Sequence, residues 1–242
     1  MTFALSSKAS LENSLAVVTA SEIEALLEAS HTGESDVDHR VHETRKSIKR
    51  LRALLRLYRG ALGHGLYERE DAELRKLGHS LGQAREAVAL GESLDRLVLA
   101  VPVSERARLA DHMNELRGSL DDGQGKGSPD SGAALARVQD GLTQVRARAA
   151  QWTLDRRGWS AIAPGLRRTY AKGRRTLSRA LHRPNEKRLH RLRIWVKRHQ
   201  YQLTLLEPLW PGPVKAFRQE AQQLGELLGH CLLYTSDAAD EL

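Results

Sequence analysis

The sequence predicts an all-α fold from an internal duplication, with four helices expected in each half and the second half incomplete at its C-terminus. Three observations carry this. Aromatic residues make up only 5% of the chain against 40% hydrophobic residues, with Ala, Leu, Arg and Glu prevailing over β-branched types, the usage of helices rather than sheets. Apolar positions recur at a spacing of three and four. A cation-rich run also appears twice, each copy followed at nearly the same interval by a Leu-Gly-x-x-Leu-Gly run.

At 242 residues the chain can bury one large core or two small ones. Its single cysteine, Cys231, excludes an internal disulfide and fits a reducing compartment. No run approaches the roughly 18 apolar residues of a membrane span, and no leader-like pattern opens the chain. The expectation is a soluble, unprocessed, cytoplasmic protein without a membrane partner.

The first predicted helix covers 13–28, with Leu15, Val18, Ile23, Leu26 and Leu27 inward. His31 to Glu34 breaks it, and Ser35-x-x-Asp38 resembles a capping box for the next helix. That helix, to about Ala61, has two opposite faces. At about 100° per residue, His42, Arg45, Lys46, Lys49, Arg52 and Arg56 share one side, and Ile48, Leu51, Leu54, Leu55 and Tyr58 share the other. After a turn at Gly63 to Gly65, a third helix covers about 67–88 with Leu74, Leu77 and Leu81 inward. Gly78 and Gly82 lie on its inner side, where a close helix crossing would offset their cost of about 1 kcal/mol relative to Ala.

A fourth helix spans 94–120, interrupted at Pro102. The segment 121–132, DDGQGKGSPDSG, has four glycines and a proline in twelve residues, which reads as a flexible linker. Helices are then expected at 133–152, 159–181, 185–206 with Asn185 as N-cap after Pro184, and 214–229. From residue 231 the periodicity is lost. The domains are therefore a first bundle over 10–120, the linker, a second bundle over 133–230 and an atypical tail at 231–242.

Charge is concentrated rather than spread. The formal net charge is +8, yet residues 40–59 alone carry +7 and residues 167–198 carry +12, leaving −11 for the remaining 190. Packing like charge together opposes folding unless an anion offsets it, so an anionic ligand is expected. A basic helix face is by itself most often solvated surface. The repeat argues otherwise: His42, Arg45, Lys49 and Arg50 match His190, Arg193, Lys197 and Arg198 in spacing, and the Leu-Gly runs begin 35 residues after His42 and 34 after His190.

These residues resemble the conserved histidine α-helical domain (CHAD) family. The resemblance rests on His42-x-x-Arg45-x-x-x-Lys49-Arg50-Leu51-Arg52, Leu81-Gly82-x-x-Arg85-Glu86, Tyr170-Ala171-Lys172-Gly173-Arg174-Arg175 and Leu189-His190-x-x-Arg193-x-x-x-Lys197-x-x-x-Tyr201, within residues 10–230. It implies two pseudo-symmetric four-helix bundles whose basic helices face a central channel that binds inorganic polyphosphate, with other proteins of polyphosphate granules as candidate partners. The acidic motif and last helix expected after Gly229 have no counterpart here.

The chemistry agrees with that implication. A repeating anion without bases suits a row of Arg forks and Lys point charges with few aromatics, and a bound polyanion favours protonated histidine, so affinity is expected to rise as pH falls. The candidate binding residues are His42, Arg45, Lys46, Lys49, Arg50, Arg52, Arg56, Arg85, Tyr170, Lys172, Arg174, Arg175, His190, Arg193, Lys197, Arg198 and Tyr201, while Trp195 and His199 are expected on the apolar side. No metal, cofactor or catalytic residue is expected: the His39-x-x-His42 pair sits among cations that would repel a divalent ion, and the basic segments offer only Glu43 and Glu186 as carboxylates. The reading is a binding module, not an enzyme. Its rivals are weak, nonspecific nucleic-acid binding and hydrolysis of polyphosphate.

Overall fold

The computed structural model describes residues 3–6, 10–31, 37–63, 65–81 and 131–231. Among these residues the protein is all-α. Helix α1 spans Leu11–His31 and α2 spans Val37–Tyr58; α3 is described over 66–81. After the gap come α4 (Ser131–Ala149), α5 (Trp159–His182), α6 (Glu186–Leu206), a 3-10 turn at Glu207–Leu209, and α7 (Pro211–Cys231). The only β pairing among the described residues is a single bridge, Leu62 to Leu154.

The periodicity read from the sequence places the core. Leu15, Val18, Ile23 and Leu26 of α1, Ile48, Leu51, Leu54, Leu55 and Tyr58 of α2, and Leu74, Leu77 and Leu81 of α3 are all buried. Helix α4, which opens the second half of the sequence, contributes Leu135, Val138, Leu142 and Val145 to this same cluster. It begins at Ser131, so the predicted linker gives up its last two residues to the helix. The capping box at 35–38 falls largely outside the described residues, as do the helix at 94–120 and Gly82. Asn185 caps α6 as expected, its side chain accepting from the Arg188 amide. Helix α7 starts three residues early, at Pro211, where a missing N–H costs nothing.

Buried polar pairs fix how the helices meet. Glu22 of α1 accepts from Ser47 at 2.8 Å and Arg50 at 3.1 Å, both on α2. Glu70 of α3, fully buried, is held by the Arg148 fork of α4, with Nη2 at 2.9 Å. Each leaves a carboxylate out of water, so each requires its partner. The chain between α4 and α5 returns to the turn after α2, where the Asp155 amide donates to the Ala61 carbonyl at 2.7 Å.

That return brings α5 across α2 at close range. A Cβ on Gly165 would stand 2.0 Å from the Leu57 carbonyl oxygen and 2.4 Å from that of Arg56, so here glycine is required by backbone approach. Gly165 was not singled out by the sequence, and it makes a close crossing of its own. Gly165→Ala should lower stability by about 1–3 kcal/mol through overpacking, although alanine is the better helix former. Thermal unfolding checks this, and an unchanged midpoint would mean the helices can separate at no cost.

A smaller cluster, Ala180, Leu192, Val196 and Leu228, joins α5, α6 and α7. Helix α2 thereby lies between the large core and the α5–α6 layer. Gln202, fully buried on α6, donates to the Ala53 carbonyl of α2 at 3.3 Å. The face of α2 that carries the cations is consequently turned toward α6.

Candidate anion-binding site

The side chains of one α2 face and one α6 face enclose a cavity of about 430 Å3. Helix α2 supplies His42, Arg45, Lys46, Lys49, Arg52 and Arg56; α6 supplies Arg193, Ile194, Lys197, Arg198 and Tyr201. Eight of these eleven are Lys or Arg. The α2 row repeats every three or four residues and so stays on one side of the helix for about 21 Å from His42 to Arg56. Helix α6 presents Arg193, Lys197 and Tyr201 at successive turns opposite it.

The cationic face of α2 is therefore withdrawn from solvent along part of its length, although His42 at its start is exposed. Arg45 and Arg52 are each 5% exposed, because α6 covers a side that local sequence alone would leave to water. Burying guanidinium groups is tolerable only with compensation, and one compensating group is Asp71 of α3. Its Oδ1 lies 3.0 Å from Arg52 Nε and 3.0 Å from Arg56 Nη2, and its Oδ2 lies 3.2 Å from Arg75 Nη2. Burial opposes ionisation of Asp71 most strongly, but the hydrogen bond from Arg52 and the charges of Arg56, Arg52 and Arg75 more than offset it, holding the carboxyl below its usual range.

Near the same end lies Arg198, whose guanidinium stacks over the Trp195 ring at 4.6 Å. Burial first, then the nearby Arg56 and Arg52, push it down to about 9, so at neutral pH it keeps its charge against both desolvation and like-charge repulsion. Arg56 is lowered in the same way, by burial and by Arg52 against the attraction of Asp71. A phosphate bound beside these groups would oppose the like-charge repulsion among Arg198, Arg56 and Arg52. Toward the other end, Lys46 Nζ rests on both carboxylate oxygens of Glu43 at 3.0 Å, part-exposed.

Not every candidate meets in the cavity. Arg50 turns to Glu22 instead. Lys172, Arg174 and Arg175 are exposed on α5 outside the lining, and Tyr170, 54% exposed, tilts against the His199 ring at 5.5 Å between centroids. His190 is partly buried three residues before Arg193 but does not line the cavity, and its Nε2 is buried without a partner. Arg85 lies outside the described residues. Two apolar-side expectations need correction. Trp195 is only partly buried and belongs to neither core cluster, because its ring face is taken by Arg198. His199 is also only partly buried, beside Tyr170, and burial lowers its affinity for a proton.

Sequence reasoning did not single out Ile194 or Asp71. Asp71 was within reach: it precedes Leu74 by three positions and so shares the inward face of α3. Among the described residues no group of three His, Cys, Asp or Glu is placed to hold a metal ion, and no helix is long and apolar enough to cross a membrane.

Fold and site together define an all-α protein with a cation-lined cavity between two of its helices. The CHAD domain family matches residues 18–231, and the chain belongs to that family. No curated protein and no solved structure matches it.

Proposed function

We propose that this protein binds inorganic polyphosphate in the cavity between α2 and α6 without hydrolysing it. The observation that carries the proposal is the convergence of eight Lys and Arg side chains on one elongated cavity, in a chain of a family linked to polyphosphate. Arginine forks can each take two oxygens of a phosphate, and the lysines supply mobile point charges between them. Among the described lining residues Tyr201 is the one Phe, Tyr or Trp. Single-strand nucleic-acid sites depend on aromatic platforms for the bases, so one tyrosine favours a ligand made of phosphate alone.

Duplex DNA presents its phosphates on the outside of a wide cylinder, which a cavity between two helices cannot admit. Catalysis is not part of the proposal. Cations could stabilise charge in a phosphoryl-transfer transition state, but among the described lining residues there is no carboxylate to take a proton from an attacking water. On this reading the protein acts where polyphosphate is held, in the cytoplasm or at granules with other granule proteins.

The test is a titration of long-chain polyphosphate, single-stranded RNA and duplex DNA at equal phosphate concentration and several salt levels, with phosphate release followed in parallel. Polyphosphate should win at physiological salt with no release of phosphate. Equal affinity for duplex DNA would place the ligand on the outer surface, and steady release would make the protein a hydrolase.

A further inference from the structure

Helix α7 lies against α6, and its Leu224-Gly225-x-x-Leu228-Gly229 run sets two glycines one turn apart beside the leucines that pack on Leu192 and Val196. What occupies the space above each glycine is not a neighbouring backbone. A Cβ on Gly225 would stand 3.2 Å from Lys197 Cε and 3.6 Å from its Cδ and Nζ; one on Gly229 would stand 3.5 Å from Nε and Nη2 of Arg193. Both residues line the cavity. The contrast with Gly165 is direct, since there the atoms in the way are carbonyl oxygens of α2. Gly225 and Gly229 instead form a shallow trough on α7 along which two site cations lie.

Glycine inside a helix is a poor choice unless something offsets its cost. The offset here is not helix packing, because the ends of flexible side chains could move aside for a methyl group. Lys and Arg lose much rotamer freedom when they bind a ligand, and a trough that already confines them reduces that loss. We infer that Gly225 and Gly229 are positioning residues of the anion site, keeping α7 clear so that Lys197 and Arg193 lie along it and reach into the cavity. This rests on the polyphosphate reading above.

The experiment measures long-chain polyphosphate affinity and thermal midpoint for Gly225→Ala, Gly225→Leu, Gly229→Ala and Gly229→Leu, with Gly212→Ala, which has nothing near its Cβ, as control. Alanine and leucine are better helix formers than glycine, so stability should hold or rise while binding falls. Each leucine should weaken binding about tenfold, the loss of one charge-assisted contact. Gly225→Ala should weaken it, since the new Cβ would stand 3.2 Å from Lys197 Cε, while Gly229→Ala, at an ordinary contact distance of 3.5 Å from Arg193, should bind close to the wild-type level. In a Lys197→Ala background Gly225→Leu should cost nothing further, since the side chain it displaces is gone.

Wild-type protein that does not bind polyphosphate overturns the underlying reading. Wild-type binding with folded leucine variants that bind equally well overturns only the role of the glycines, as does an equal loss from Gly225→Leu with or without Lys197. Should the leucine variants fail to fold, the alanine pair decides: binding at the wild-type level by Gly225→Ala overturns the inference.

Discussion

Asp71→Asn should destabilise the ligand-free protein by about 3–5 kcal/mol, the cost of removing one partner from a buried ion pair, and polyphosphate should restore much of that loss. The side chains of Asp71 and Arg52 are each 6% exposed and that of Arg56 is 13% exposed, so water can do little to replace the lost carboxylate. Asparagine keeps the shape and one acceptor oxygen, but it removes the charge and puts an NH2 donor where the other oxygen accepted from arginine. Arg52 and Arg56 would then face each other and Arg198 with the Asp71 charge gone, and the repulsion that helps lower Arg198 would grow. A phosphate entering the cavity supplies the missing anion, and the ligand-induced rise in melting temperature should be larger for the variant than for the wild type.

The pH dependence has a definite sign. Asp71 is held below its ordinary value in the folded state, so its contribution is present in full above the unfolded carboxyl value, about 3.9, and is lost as pH falls through the depressed folded value. The wild type should therefore lose part of its advantage over the variant on acidification, as thermal melts from pH 7 down to pH 3 would record. If polyphosphate raised both melting points equally, Arg52 and Arg56 would be structural groups that never meet the ligand.

The sequence made the inward face of each helix legible because burial of apolar side chains follows the helical period, as in Ile48, Leu51, Leu54, Leu55 and Tyr58. It also made the α2 row legible as a row: the six residues placed on one side by angle are the six that α2 contributes to the cavity. Which cations would be buried could not be read, because that depends on α6 arriving from 140 residues away. Arg50 shows the limit most clearly. Its spacing matches Arg198, which lines the cavity, but Glu22 on a neighbouring helix draws it to the other side. The glycines of α7 were legible as a repeated feature, while their neighbours, side-chain ends rather than a helix backbone, could be known only from the packing.

Charge reversal in the cavity should have the largest effect on binding, and it separates the cavity from the outer surface of α5. Arg45→Glu and Arg193→Glu each replace an attraction with a repulsion. A unit charge about 8 Å away at an effective dielectric near 20 is worth about 2 kcal/mol, so reversal changes the interaction by about 4 kcal/mol per nearby phosphate. Affinity for polyphosphate should fall at least about a hundredfold, and by less at high salt. In the free protein the new carboxylate sits among the seven remaining cations and lessens their mutual repulsion. Weakened binding in protein that still melts cooperatively is the expected signature, read by melting and titration on the same samples. Arg175→Glu, on the exposed face of α5, provides the comparison. A small loss there beside a large loss at Arg45 and Arg193 places the chain between α2 and α6. Equal losses at all three would mean that the polyanion also follows the outer arginines of α5, and no loss at Arg45 or Arg193 in folded protein would reduce the cavity to a structural feature.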